Sequence, residues 1–192
     1  ATSELKLNNT KVRNNQANAD GGGITIRFGK AEVLAKSEVT SNTAHNRGGG
    51  ISLVGFGGNN GVRLKIDDAS VSSNTATNDG GGIDSNWQGV AAGQNVVTIS
   101  KTTINNNRAV NGTAGGYFNG ANTSADAQST ISFNKSGQKK GEAVVVKQNT
   151  RFTGAQVKME GNQYLPPPGG GGGSGLSDSG FPDDGLPSAV YV

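Results

Sequence analysis

Cysteine is absent from this 192-residue chain. That excludes a disulfide framework, a thiolate metal site and a cysteine nucleophile. Histidine occurs once, as His45. No histidine cluster is available for a metal, and a Ser-His-Asp arrangement would have one possible base at most; His45 reads as a solvated corner residue. No stretch of about 18 apolar residues is present, so no transmembrane helix is expected. The opening Ala1-Thr2-Ser3-Glu4 carries no signal-peptide pattern and suits a terminus made by cleavage or by choice of boundary. Apolar residues make up 32 % and aromatics 5 %, where a compact globule carries nearer half apolar. A clustered basic face is also missing. Residues 1–164 hold all 17 basic residues against 11 acidic ones, a formal excess of six, but Lys139-Lys140 is the one adjacent pair. Scattered charge of this kind argues against nucleic acid as a partner.

What the chain has in quantity is glycine, 32 residues of it, at recurring places. Gly21-Gly22-Gly23-Ile24 returns as Gly48-Gly49-Gly50-Ile51 and Gly80-Gly81-Gly82-Ile83. It degrades to Ala114-Gly115-Gly116-Tyr117 and Gly141-Glu142-Ala143-Val144. A second signal precedes each copy: an apolar residue, two others, then Asn. The pairs are Val12 and Asn15, Val39 and Asn42, Val71 and Asn74, Ile104 and Asn107, and Ile131 and Asn134, with a sixth, Met159 and Asn162. Small residues follow two places on, at Ala17, Ala44, Ala76, Ala109 and Ser136.

Two linked motifs at a period of roughly 27–33 residues specify a repeat architecture. Within a repeat the pattern is short and alternating, as in Leu5-Lys6-Leu7, Leu64-Lys65-Ile66 and Val97-Thr98-Ile99. No segment shows ten residues of helical periodicity with caps. Three short strands per repeat describe one coil of a parallel β-helix, whose narrow core needs little apolar mass because each coil covers its neighbour. The predicted fold is therefore all-β, a parallel β-helix of about six coils. Equivalent residues should stack about 4.8 Å apart, so that Asn15, Asn42, Asn74, Asn107, Asn134 and Asn162 form an amide ladder. Gly22, Gly49, Gly81 and Gly115 should supply the unusual φ of a tight corner. Asp20, Arg47 and Asp79 share one phase and should stack with alternating sign.

The expected organisation is a β-helix over 1–164, a Pro/Gly linker over 165–175 that begins Leu165-Pro166-Pro167-Pro168, and a tail over 176–192. The tail ends in a short apolar strand, Ala189-Val190-Tyr191-Val192. Extra residues at 55–61, 85–95 and 119–128 fall at one phase, after the third strand, and should emerge on one side of the solenoid.

The coupled apolar-x-x-Asn and Gly-Gly-small-Ile motifs resemble the repeats of chlamydial polymorphic outer-membrane proteins and related bacterial β-helix surface proteins. Val or Ile stands here for that family's usual Phe, and Gly for its usual Ala. The resemblance spans roughly residues 4–164. It implies a right-handed coil, export to the cell surface and an adhesive or structural role.

Other right-handed β-helices are polysaccharide lyases and hydrolases, and a glycosidase needs two carboxylates across a cleft. Asp67 and Asp68 are adjacent, so as strand neighbours they diverge. Asp84 follows a glycine motif. All three are assigned to turns or surface. The Asp20 and Asp79 glycine runs lack the spacing of calcium-binding glycine repeats, so no metal or other cofactor is expected. Phe56 and Trp87 are the candidates for recognition of a glycan or a host surface, against the simpler reading that they pin their own loops. The expected function is that of a non-catalytic extracellular structural protein. The alternatives are an adhesin or glycan-binding module, or a polysaccharide-degrading enzyme using Asp84. Leu5 and Leu7 at one end, and residues 189–192 at the other, are the expected contacts of head-to-tail homo-oligomers. The tail would donate a strand to a neighbour, cap its own last coil, or act as a spacer.

Overall fold

The computed structural model describes residues 3–54, 61–85, 95–138, 142–146, 150–154, 156–165 and 190–191. Among them there is no helix; every regular element is a short strand. The strands form four parallel sheets of six. The first contains β1 (Glu4–Asn8), β5 (Lys30–Leu34), β9 (Arg63–Asp67), β13 (Val96–Ser100), β17 (Asn122–Ala125) and β21 (Arg151–Gly154). The second contains β2 (Lys11–Arg13), β6 (Glu38–Thr40), β10 (Ser70–Ser72), β14 (Thr103–Asn105), β18 (Thr130–Ser132) and β22 (Lys158–Glu160). The third is built from two-residue strands: β3 (Gln16–Ala17), β7 (Thr43–Ala44), β11 (Thr75–Ala76), β15 (Arg108–Ala109), β19 (Lys135–Ser136) and β23 (Gln163–Tyr164). The fourth contains β4 (Ile24–Ile26), β8 (Ile51–Leu53), β12 (Ile83–Asp84), β16 (Tyr117–Asn119), β20 (Val144–Val146) and β24 (Val190–Tyr191).

The chain thus winds as a parallel β-solenoid. Its body makes five complete four-sided turns and a three-sided sixth. The expectation of three strands per coil missed the third sheet, because two residues after an Asn are too few to show any period. The sixth coil gets its fourth side from the far end of the chain: β24 pairs in parallel with β20, Val144 opposite Val190 and Val145 opposite Tyr191. Of the three roles expected for the tail, the structure places its terminal strand on the chain's own last coil.

Register fixes which residues share a ladder. Val12, Val39, Val71, Ile104, Ile131 and Met159 stack in one line. Ile24, Ile51, Ile83, Tyr117 and Val144 stack in another, as expected. Strand alternation sends these inward and their neighbours outward. The inner coils bury their share completely: Val39, Ile51, Val71, Ile83, Ile104 and Ile131 are each 0 % exposed. At the two ends the same positions open, with Leu5, Leu7, Val12, Phe152 and Met159 only partly covered.

One expected insertion is not an insertion. Residues 119–128 contain β17, a full member of the first sheet paired with β13 and β21. Its sequence, Asn122-Thr123-Ser124-Ala125, lacks the large apolar residues that mark the other strands of that sheet. Residues 55–60 and 86–94, with the recognition candidates Phe56 and Trp87, lie outside the described residues, as do Ala189 and Val192.

Candidate functional site

The longest column of bonded polar side chains among the described residues is the asparagine ladder. Asn42 donates from both its backbone N–H (2.9 Å) and its Nδ2 (3.0 Å) to Asn74 Oδ1. Asn74 does the same to Asn107, and Asn107 to Asn134, at 3.0 Å throughout. The ladder runs from Asn15, which donates to Asn42 Oδ1, to Asn162, which accepts from Asn134. The second Nδ2 proton turns back to the preceding coil, as from Asn74 to Val39 O at 2.9 Å. Asn42, Asn74, Asn107 and Asn134 are at most 1 % exposed, so each amide is satisfied without water.

The residue before each ladder Asn holds the turn. Asn14, Ser41, Ser73, Asn106, Phe133 and Gly161 all have φ between 53° and 63°. Left-handed backbone at that point swings the following amide into the core. The apolar-x-x-Asn motif was legible in sequence, but the demand on its third residue was not, since Ser and Phe do not signal φ above zero.

The glycine motif divides its labour differently from expectation. Positive φ belongs to the first glycine, Gly21 (69°), Gly48 (63°) and Gly80 (64°), and to Ala114 (54°) in the fourth coil. It does not belong to Gly22, Gly49, Gly81 or Gly115, whose role is close approach. A Cβ on Gly49 would collide with the carbonyl oxygens of Gly81 and Thr75 in the next coil, and one on Gly115 with the Lys135 backbone. The third glycine packs on the ladder, where a Cβ at Gly50 would come 2.8 Å from Asn74 Nδ2.

A second buried polar cluster occupies the fourth coil. Tyr117 replaces Ile in the inward ladder and brings a hydroxyl with it. That hydroxyl sits 3.0 Å from Ser85 Oγ, 2.8 Å from Thr123 Oγ1 and 2.9 Å from Asn119 Oδ1, to which it donates. Thr123 Oγ1 also donates to Asn119 Oδ1 at 2.7 Å, and Ser85 Oγ accepts from Gly120 N–H at 2.9 Å. Burial raises the Tyr117 pKa well above the ordinary phenol value; the hydrogen-bonding contacts with Ser85 and Thr123 oppose the shift and the charge of Asp84 adds to it. The one sequence signal was the Ile-to-Tyr change, since a buried phenol demands partners.

The acidic candidates do not converge. Asp67 pairs with Lys65 at 3.3 Å, and Asp68 is an exposed turn residue with φ 52°. Asp84 corrects the surface reading: it is 2 % exposed, in register between Ser52 and Phe118 on the outward side of the fourth sheet. Asp20 Oδ1 accepts from Arg47 N–H (3.2 Å) and Asn46 Nδ2 (2.7 Å), while Arg47 Nε lies 3.8 Å from Asp79 Oδ2. The alternating-charge column therefore exists, with its ion pair on one side of Arg47. His45 is exposed and meets Gln16 Nε2 at 3.0 Å. Among the described residues no group of three His, Asp or Glu side chains could hold a metal ion, and no helix is long and apolar enough to cross a membrane.

No family model, curated protein or solved structure matches this chain.

The remaining candidates are the coil ends. β1, β2 and β3 are edge strands of their sheets, as are β21, β22 and β23 at the other end. Their burial patterns, such as exposed-partial-exposed for both β2 and β22, contrast with the buried middles of the inner strands. Leu5 is 38 % exposed and Leu7 partly so. Among the described residues no further strand pairs with these edges, so apolar core residues and edge backbone lie together there.

Proposed function

We propose that this protein is a non-catalytic structural component of the cell exterior that assembles end to end into filaments or fibres. The observation that carries the reading is the pair of sheet edges at the two coil ends that no other described strand covers. Rows of unpaired N–H and C=O groups flanking exposed apolar side chains are templates for further strand pairing. In a solenoid the two edges have the same cross-section, and a head-to-tail contact that does not close into a ring propagates into a filament. β24 pairs with the chain's own β20 and so takes the place of the strand donation expected to a neighbour, which leaves the coil ends to carry assembly. The polar side chains support the reading as well: the asparagine ladder and the Tyr117 cluster spend their hydrogen bonds on structure. Location outside the cell rests on the resemblance of the repeats to those of bacterial surface proteins.

Sedimentation velocity across a concentration series, followed by negative-stain microscopy, tests the reading. The expected result is growth of rods of constant width as concentration rises. A protein that stays monomeric at high concentration overturns it.

A further inference from the structure

We infer that two copies join in one fixed polar register, with the coil of β21–β24 from one copy seated on the β1–β4 edge of the next, so that Asn162 of the first continues its ladder into Asn15 of the second. This rests on the end-to-end reading above and adds its geometry. The asparagine ladder has a direction. Asn42, Asn74, Asn107 and Asn134 each donate the N–H and one Nδ2 proton toward the C-terminal end, and accept from the N-terminal side. Its two ends are therefore unlike. Among the described residues nothing donates to Asn15 Oδ1, and the Asn162 backbone N–H has no acceptor. The Nδ2 proton of Asn162 that would reach a next Asn turns instead to Glu160 O, at 3.2 Å, while the other keeps the usual bond to Ile131 O, at 3.0 Å. One end is an open acceptor and the other an open donor. A seventh coil beginning with Asn15 satisfies both, and the free Nδ2 proton of that Asn15 then falls on Met159 O, as Asn42 Nδ2 falls on Val12 O. Head-to-head contacts would oppose two acceptors.

The outward columns support the same register. The column Glu4, Lys30, Arg63, Val96, Asn122, Arg151 sets Arg151 beside the next copy's Glu4. The column Arg13, Thr40, Ser72, Asn105, Ser132, Glu160 sets Glu160 beside the next Arg13. Both junctions bring opposite charges together, with Glu4 also paired to Lys30 at 2.9 Å and Glu160 to Lys158 at 2.8 Å in its own copy. Another column sets Lys158 beside Lys11, a like-charge contact opposed by Glu38 at 3.2 Å from Lys11 and by Glu160, which Lys158 would share with Arg13. Inside, Phe152 meets Leu5 and Met159 meets Val12, all partly exposed in the single copy. On the fourth side the backbone of β24 lies over β4. Surface charges choose the register, while backbone pairing and apolar contact hold it.

Two variants of the full chain test the inference. Arg13 and Glu160 are both exposed, so neither change threatens the fold. In the first, Arg13→Cys and Glu160→Cys are combined in a chain with no other cysteine. Within one copy the two sites are five coil steps apart, about 24 Å at the strand spacing, far beyond disulfide reach. Mild oxidation should give covalent chains of copies joined 13 to 160. In the second, Arg13→Glu should raise the concentration needed for assembly by about tenfold, and adding Glu160→Arg should restore it. Rods that form without 13–160 bridges, or with 13–13 and 160–160 bridges, overturn the register and leave end-to-end assembly standing. Failure of the unsubstituted protein to form rods overturns both.

Discussion

The asparagine ladder makes a quantitative claim that depends on position and not on residue type. Asn74 sits in its middle and is 0 % exposed. Its side chain accepts from Asn42 N (2.9 Å) and Asn42 Nδ2 (3.0 Å) and donates to Val39 O (2.9 Å) and Asn107 Oδ1 (3.0 Å). Asn74→Ala removes these four bonds. Asn107 Oδ1 keeps its bond from the residue-74 backbone N–H, but Asn42 N–H and one Asn42 Nδ2 proton are left buried without partners, and Val39 O loses a donor. At about 1–3 kcal/mol for each orphaned group, with part recovered by relaxation, the expected loss is about 2–5 kcal/mol. Asn15 begins the ladder and is exposed. Its side chain makes one such bond, from Nδ2 to Asn42 Oδ1 at 2.9 Å, and that oxygen keeps a second donor in the Asn15 backbone N–H at 3.1 Å. Asn15→Ala should cost about 0.5–1.5 kcal/mol. Urea unfolding of the dilute, unassembled protein, followed by far-UV circular dichroism, measures both. Costs that agree to within about 1 kcal/mol would refute the reasoning, because the difference arises from burial and from the number of groups left unpaired.

The glycine motif gives a contrasting pair on the same assay: Gly49→Ala forces a Cβ into backbone of the next coil and should cost about 3 kcal/mol or more, at the upper end of overpacking, whereas Ala114→Gly removes strain at φ 54° and should stabilise by about 1 kcal/mol. Tyr117→Phe deletes the hydroxyl that joins Ser85, Asn119 and Thr123 and should cost about 1–3 kcal/mol. In the unsubstituted protein the raised Tyr117 pKa means that the folded state holds its proton longer than the unfolded state. Stability from this group is therefore complete below about pH 10, the ordinary phenol value, and falls as pH rises beyond it. Absorbance titration should show Tyr117 ionising only with unfolding; its ionisation in the folded protein near pH 10 would contradict the burial. Asp126 has the opposite sense. Its slight burial is outweighed by bonds from Ser100 and Ser129 hydroxyls and the Lys101 and Gln128 N–H groups, which hold its pKa below the usual carboxylate value. Its contribution is present above the ordinary Asp value and lost as pH falls through the lowered one. Asp126→Asn should flatten the acid side of the stability curve, and an unchanged acid limb would refute the assignment.

The sequence by itself determined the solenoid, the ladder and the inward column from Ile24 to Val144. A repeat states each instruction several times, so a period survives the failure of any one copy. Val12 and Asn15 mean little alone; with Val39 and Asn42, then Val71 and Asn74, they fix a corner and a register. Where a residue acts once, the sequence was silent or misleading. Asp84 is a carboxylate after a glycine motif, which reads as surface, yet the tertiary structure buries it. β17 carries no apolar alternation because Thr123 faces a polar cluster that Tyr117 created one strand earlier. The second glycine of each motif looks like a residue chosen for its φ. Only the stacked coil above reveals that it is chosen for the missing Cβ. The tail was the largest ambiguity. Nothing in Val190-Tyr191 says which edge it will join, since a two-residue apolar strand pairs with any open ladder it can reach. The tertiary structure decided that question by leaving one side of the sixth coil empty above β20. Local pattern specifies what each coil is, but contacts between coils, and between the last coil and a strand far along the chain, exist only after the chain has closed on itself.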